Sequence, residues 1–233
     1  MKLAAGIGLG VVLMLASAHA HDRITTRVTW DGDIARIVES RCISCHAPEG
    51  RGPMSLVTYE DARPWAKAIK EEVLTRRMPK WHAVRGYGDF ANDPSLSSFE
   101  IALITAWADG GAPKGSDVAS GGSRNAVVSS FSRNADSPTD PALREVTLPC
   151  GEQPLPPALL VAVRPGLDKG GSIGIAVRLP DGRREIVAWV RDYDPEFPTT
   201  YRLRSSLVLP PGSVLATEPR EGCSVTVTLK GRR

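Results

Sequence analysis

The sequence predicts a multi-domain protein in which an all-α module precedes an all-β antiparallel sandwich module. Apolar residues recur at helical spacing in the first half, and they alternate with polar residues in the second half, from residue 145 onward. Residues 115–141 are dominated by Gly, Ser, Asn, Asp and Pro, which indicates a flexible linker. We therefore expect a leader at 1–20, the helical module at 21–114, the linker, and the sandwich at 142–233.

The first 20 residues have the pattern of a secretory signal peptide. A short basic start is followed by an apolar stretch and by small residues at two cleavage points, Ala18 and Ala20. The stretch is shorter than the roughly 20 residues that span a membrane, so we expect an exported protein with no integral membrane segment after cleavage. Cleavage after Ala20 would leave His21 at the N-terminus, where an amine and an imidazole can chelate copper(II). A terminus without metal is the favoured alternative.

Cys42, Cys45 and His46 form a C-x-x-C-H motif, which is typical of covalent attachment of a c-type haem. Each thiol can form a thioether with a haem vinyl group, and the following imidazole is then the proximal iron ligand. The alternatives are a thioredoxin-like redox pair, half of a zinc site or a local disulfide. The sequence has neither the βαβ context of the first nor the additional nearby ligands of the second. We therefore expect one haem c per chain.

Three helices are predicted in the first module. Apolar residues at helical spacing lead into the motif: Ile34, Ile37 and Val38. A second helix is expected over residues 58–75, because acidic residues stand in its first turn and basic residues at its end. A third begins at the capping box of Ser97 and Glu100 and ends at Gly110. Three helices with C-x-x-C-H at the end of the first predict a small class I cytochrome c at 21–114.

The second axial ligand of the iron has to come from elsewhere in the chain. Met78 is the favoured distal ligand, because it follows the second helix and precedes Pro79, which would stiffen the loop. His82 and Met54 are the alternatives, together with an open site. Met54 follows His46 by only eight residues and is expected to pack against the haem edge instead.

Residues 42–115 resemble a group of environmental bacterial cytochrome c domains found with copper type II ascorbate-dependent monooxygenase-like proteins. The resemblance implies that C-x-x-C-H binds haem and that the Met of the segment M-P-x-W-H is the distal ligand, which is Met78 here. Lys80 departs from the family, which usually carries a second Pro at that position. The resemblance also implies thioether attachment outside the cytoplasm, and hence a periplasmic location.

The second module has alternating segments separated by turns. We expect strands at five places: residues 159–163, 172–179, 184–190, 201–203 and 224–229. Turn sequences at 180–183 and 210–213 favour an antiparallel sandwich. Cys150 and Cys223 have no His nearby, and in an oxidising compartment a disulfide between them would tie the first strand to the last. Two buried free thiols are the alternative.

Residues 186–215 are similar to part of the C-terminal jelly-roll domain of copper type II monooxygenases. Those enzymes bind copper through His side chains and a Met, whereas this chain has no His after His82 and no Met after Met78. A copper centre within the second module is therefore not expected. The resemblance implies a jelly-roll-like scaffold without its metal, for which docking is the expected role.

The expected function is that of a periplasmic monohaem c-type cytochrome. It would exchange electrons with a periplasmic redox enzyme or electron-transfer protein, with the β module as a non-catalytic docking domain. We expect an electron carrier and not an enzyme, because neither module offers a plausible nucleophile and base. The formal net charge of +3, with interspersed charges, does not suggest nucleic acid. The alternatives are a haem-based sensor and a haem-dependent oxidoreductase accessory subunit.

Overall fold

A computed structural model describes residues 26–115 and 140–231. The predicted leader, His21 and most of the predicted linker lie outside the described residues, as do the last two residues of the chain. Among the helices of the described ranges, none is long and apolar enough to cross a membrane. We call residues 26–115 the N-terminal region and residues 140–231 the sandwich.

The N-terminal region contains short helices at the three positions where helices are expected. A π-helical turn precedes α1, and a 3-10 turn precedes α4. In chain order the elements are the π turn Trp30–Ile34, α1 Ala35–Arg41, α2 Ile43–His46, α3 Tyr59–Ala62, the 3-10 turn Arg63–Trp65, α4 Ala66–Leu74 and α5 Ser98–Asp109. Ser97 and Glu100 form the expected capping box of α5. Thr58 and Asp61 form a second one at α3. These boxes satisfy backbone N–H groups that the first turn of a helix leaves without partners.

The core of the N-terminal region lies between the π turn, α1 and α5. Ile34, Ile104 and Trp107 are almost completely buried there. The Trp107 indole N–H donates to the carbonyl of Pro113, so the chain that follows α5 folds back onto the core. Trp30 donates its backbone N–H to the same carbonyl. The two ends of the region are thereby held together next to the helix that leads into the motif.

The sandwich consists of two four-stranded antiparallel sheets. Its strands are β1 Leu143–Pro149, β2 Glu152–Pro154, β3 Ala158–Leu167, β4 Gly171–Arg178, β5 Arg184–Tyr193, β6 Tyr201–Leu209, β7 Val214–Ala216 and β8 Cys223–Lys230. One sheet has the order β1-β8-β3-β6 and the other has the order β2-β7-β4-β5. This order is that of a jelly roll, in which each sheet interleaves strands from both halves of the domain.

Alternating apolar residues on both sheets fill the core of the sandwich. Leu160, Ile175, Leu215 and Val227 are among the side chains with no exposed surface. The predicted disulfide between Cys150 and Cys223 is confirmed, with a Cα–Cα distance of 5.4 Å. It lies where β1 ends and β8 begins, beside the last pair of their ladder. The first and last strands are thus joined by backbone hydrogen bonds and by a covalent link.

Residues 79–92, which we call the edge segment, belong in sequence to the first half but pack on the sandwich. Val84 donates its backbone N–H to the carbonyl of Trp189 on β5, at 2.7 Å. Ala91 donates in the same way to Arg202 on β6, at 2.8 Å. Because β5 and β6 are each the last strand of a sheet, the edge segment covers two edges that would otherwise be open for pairing. Phe90 is buried in the sandwich core.

The predicted fold class, an all-α module followed by an all-β module, is wrong. The structure is mostly β, in two antiparallel sheets, and its helices are few and short, the longest having 12 residues. Between α4 and α5 the described chain forms the edge segment, which lies in the predicted helical module but packs on the sandwich. Gly88 shows why: its φ is +93°, and a Cβ there would lie 2.3 Å from the carbonyl oxygen of Val187. A backbone that close to β5 has become part of the sandwich.

Candidate functional site

The C-x-x-C-H motif forms the short helix α2, directly after α1. Cys42, Cys45 and His46 are related by steps of three and four residues, so a helical backbone brings their side chains to one face. The Cys45 and His46 amides both donate to the carbonyl of Cys42, at 3.1 and 2.9 Å. The helical turn therefore presents two thiols and one imidazole in the same direction.

The His46 ring is oriented by the loop that follows it. Its Nδ1 lies 3.0 Å from the backbone carbonyl oxygen of Met54. Because a carbonyl can only accept, Nδ1 carries the proton and Nε2 keeps its lone pair for a metal. Gly52 packs against the ring, and a Cβ at that position would lie 2.5 Å from Nδ1. The glycine therefore permits the close approach that keeps the ring in place.

The motif faces a cavity of about 320 Å³, which we call the motif cavity. Most of its lining side chains are apolar: Cys42, Cys45, Pro53, Met54, Leu56, Trp65, Ile69, Val73, Met78, Pro79 and Phe197 are among them. His46 and the charged residues Arg41, Glu72 and Lys80 also line it. The volume falls within the range of small-molecule and cofactor sites. A second cavity, of about 430 Å³, shares Met78 and Pro79 with the first. The structure thus brings the four residues singled out from the sequence to a single cavity.

The three candidates for a distal ligand lie in different places. Met78 lines the motif cavity and lies in the chain shortly after the end of α4. Met54 also lines it, but the contribution of Met54 to the motif is its backbone carbonyl. His82 is not a lining residue and packs near Tyr193 of the sandwich, with 6.1 Å between ring centroids. Of the two methionines that line the cavity, Met54 also packs against the core of the N-terminal region, whereas Met78 is not among the side chains that form or contact that core.

An ion pair fixes the helix that leads into the motif. Arg41, the last residue of α1, donates from Nε to Glu100 at 3.1 Å, and Glu100 also accepts from Ser97. Partial burial opposes ionisation, but the hydrogen bonds from Ser97 and Arg41 hold the pKa of Glu100 below its usual value. Glu100 of the α5 capping box thus also binds Arg41 at the end of α1, immediately before Cys42.

The two motif thiols are not bonded to each other. Burial, and to a lesser degree the neighbouring Cys45, raises the pKa of Cys42 to about 12. A redox-active dithiol depends on a lowered thiol pKa, which provides the attacking thiolate. The environment of Cys42 therefore disfavours the thioredoxin-like alternative.

In residues 26–115 and 140–231, no three His, Cys, Asp or Glu side chains come together as a potential metal site. A c-type haem requires a different set of protein groups, namely two thiols, one imidazole with a free nitrogen and a thioether. Cys42, Cys45, His46 and Met78 are that set, and the close approach permitted by Gly52 leaves Nε2 of the imidazole available.

Sequence reasoning missed three contributors to this site. Gly52 and the carbonyl of Met54 orient His46, and Phe197 lines the motif cavity from a loop between β5 and β6. The sequence signal for Gly52 was its place in a short loop after the motif, where close backbone approach favours glycine. No sequence pattern links Phe197 to the motif, because it follows His46 by more than 150 residues.

Comparisons with known proteins add little to this description. No family model matches the chain, and no curated protein matches it. Among solved structures, Pseudomonas aeruginosa AlgX aligns with a TM-score of 0.27 and 13% identity, over 60% of this chain. The alignment spans 33% of the AlgX chain.

Proposed function

We propose that this protein is a c-type haem protein that transfers electrons. The observation that carries the proposal is that Cys42, Cys45, His46 and Met78 all line the motif cavity. Cys42 and Cys45 would hold the haem through thioethers, with His46 as proximal ligand and Met78 as distal ligand. When bound, the haem iron would supply one-electron redox chemistry.

The residues of the chain would hold this group and tune it. The Met54 carbonyl accepts a hydrogen bond from Nδ1 of His46, which leaves Nε2 as the nitrogen that would bind the iron. The lining of the motif cavity is mostly apolar, and low polarity around an iron centre disfavours the more highly charged state. A thioether ligand acts in the same direction. We therefore expect a higher reduction potential than two imidazole ligands would give.

An electron carrier is favoured over an enzyme. With His46 and Met78 both bound, the iron would have no free position for a substrate. A haem-based sensor and an oxidoreductase accessory subunit remain the alternatives, and both would need the distal position to open. We also propose a periplasmic location and a redox partner protein, on the basis of the leader-like first 20 residues and the thioether motif.

The first experiment uses the two cysteine pairs of the chain as test and control. The protein, produced with haem-attachment machinery and denatured, should stain for haem at its own mass. Replacing Cys42 and Cys45 by Ala should abolish the stain, because the thioethers are lost. Replacing Cys150 and Cys223 by Ala should leave the haem attached. Absence of covalent haem in the unaltered protein would refute the proposal.

The second experiment tests the distal ligand. A thioether bound to ferric iron gives a weak sulfur-to-iron charge-transfer band at long wavelength. We expect Met78→Ala to abolish the band. Met54→Ala should preserve it, since the backbone carbonyl that contacts His46 is retained. Loss of the band in the Met54 variant alone would show that the other methionine is the ligand.

A further inference from the structure

We propose that the sandwich is part of the haem site and controls whether Met78 can bind the iron. The inference deepens the proposed function and rests on it. In this arrangement the edge segment presents Met78, and contacts from the loop between β5 and β6 hold that segment in place. The sandwich would therefore position the distal ligand in addition to any docking role.

The first contact is an ion pair two residues after Met78. Lys80 Nζ lies 2.7 Å from a carboxylate oxygen of Asp194, which directly follows β5. Each side chain is about one-third exposed, 32% for Lys80 and 29% for Asp194, so solvent screens the pair only in part. The hydrogen bond from Lys80 lowers the pKa of Asp194. Lys80 is also the position at which the chain departs from the second Pro of the family it resembles.

The second contact joins Lys80 to Phe197 at the wall of the motif cavity. The Lys80 ammonium lies 3.7 Å from the centroid of the Phe197 ring, within the distance of a cation–π interaction. The same ring lines the motif cavity together with Met78. One aromatic side chain of the sandwich therefore contacts both the loop that carries the distal ligand and the space that the haem would occupy.

The loop that carries Asp194 and Phe197 is itself well ordered by local hydrogen bonds. Asp194 accepts the backbone N–H of Glu196 on its side chain at 3.0 Å, and its carbonyl accepts from Phe197. Such an Asx turn fixes the backbone next to a proline. The loop can therefore transmit the position of β5 to the side chain of Phe197.

Further contacts hold the rest of the edge segment on both sheets. Arg191 donates its N–H to the carbonyl of His82, and Arg204 donates to that of Asp89, each at 2.9 Å. The side chain of Asn92 bonds the start of β6 twice, donating to the Thr200 carbonyl and accepting from the Arg202 amide. The segment after Met78 is thus tied at intervals along its length. Met78 itself donates its backbone N–H to the carbonyl of Glu72 in α4, so the edge segment connects Met78 and α4 to the sandwich.

The test uses the full-length haem protein with four variants and one matched control. Asp194→Asn keeps the turn acceptor but removes the charge, Lys80→Gln removes the other charge, and Phe197→Ala opens the wall of the cavity. Glu152→Gln is the control, because Glu152 pairs with Arg178 at 2.7 Å on the sandwich and touches neither Met78 nor the cavity. Phe197→Leu should restore the wall without the cation–π contact.

The readouts are the ferric charge-transfer band, the reduction potential and carbon monoxide binding by the reduced protein. We expect the band to weaken and the population that binds carbon monoxide to rise about fivefold in the two charge variants. Phe197→Ala should have a larger effect, Phe197→Leu a smaller one, and Glu152→Gln none. Covalent haem should stay at its normal level throughout.

The outcomes separate this inference from the proposed function. Variants that carry haem yet keep the band and the carbon monoxide binding of the unaltered protein would overturn the inference and leave the proposed function intact. A normally haem-stained protein without any band would also overturn it, since Met78 would not be the ligand. Absence of covalent haem in the unaltered protein would overturn both. If Phe197→Ala fails to fold, the charge variants still decide.

Discussion

The N-terminal region and the sandwich bury their apolar residues in different ways. In the sandwich, two sheets close on each other around side chains such as Val163 and Leu209, which have no exposed surface. The N-terminal region has short helices around a cavity that its motif residues line. The sandwich core is filled by its two sheets together with Ala83 and Phe90 of the edge segment, whereas the N-terminal region has a cavity beside its core. We therefore expect the two regions to respond differently to loss of the proposed haem and to loss of the disulfide.

The largest difference should appear when haem attachment is prevented. In the double variant Cys42→Ala/Cys45→Ala, amide protection of α5 should fall by about 3 kcal/mol, because the apolar contacts that the proposed haem would make only in the folded state are lost. Protection of β3 should change little. Hydrogen exchange measured segment by segment tests both statements. Retention of full protection in α5 would show that the cavity does not need to be filled for stability.

The converse experiment removes the disulfide. In Cys150→Ala/Cys223→Ala the unfolding free energy of the sandwich should fall by about 2–4 kcal/mol, because the unfolded chain is no longer restricted across 73 residues. A denaturant titration that is monitored by amide hydrogen exchange in β8 measures this change. The haem spectrum should survive under conditions where the sandwich stays folded. An equal loss of protection in α5 and β8 would mean that the two regions unfold as one unit.

A smaller effect is expected from crowding the proximal ligand. Gly52→Ala places a methyl group 2.5 Å from His46 Nδ1, so the ring or the loop must move, at a cost of about 1–3 kcal/mol. The reduction potential should shift with the ring. Gly174→Ala in β4 is the matched control, because its Cβ would meet only the Trp189 ring, at 3.8 Å. Unchanged potential and stability in the Gly52 variant would argue against the oriented imidazole.

The smallest effect concerns the ion pair before the motif. Because the pKa of Glu100 is lowered from its usual value of 4.5, its contribution is fully present above that pH and is lost as the pH falls through the lowered pKa. Glu100→Gln should therefore cost about 1 kcal/mol at pH 7, and the difference from the unaltered protein should vanish in acid. Glu152→Gln, a more exposed pair, should show less. A difference that is independent of pH would contradict this assignment.

The local parts of the structure were predictable from the sequence. The helices at the motif and at Ser97 follow from short-range periodicity and a capping box, and the strands follow from alternation. Three strands were not predicted, namely β1, β2 and β7. β2 and β7 have three residues each, and a strand of that length shows too little alternation to stand out. The fold class failed at the edge segment, where Trp81 and Phe90 pack against Tyr201 of β6, with centroids 4.9 and 5.3 Å away.

The sequence by itself indicated Cys42, Cys45 and His46 as residues of the proposed haem site and Cys150 and Cys223 as a disulfide, and the structure confirms the disulfide. The spacing of Cys42, Cys45 and His46 brings them to one face of any helix, and the pair Cys150 and Cys223 was all that remained of the cysteines. Only the tertiary structure decided that Met78 lines the motif cavity while His82 packs near the sandwich. It also decided that Phe197 forms part of the wall of the motif cavity. The physical reason is distance along the chain. Lys80 and Asp194 are 114 residues apart, and no local pattern encodes a contact that depends on how two sheets pack against a loop.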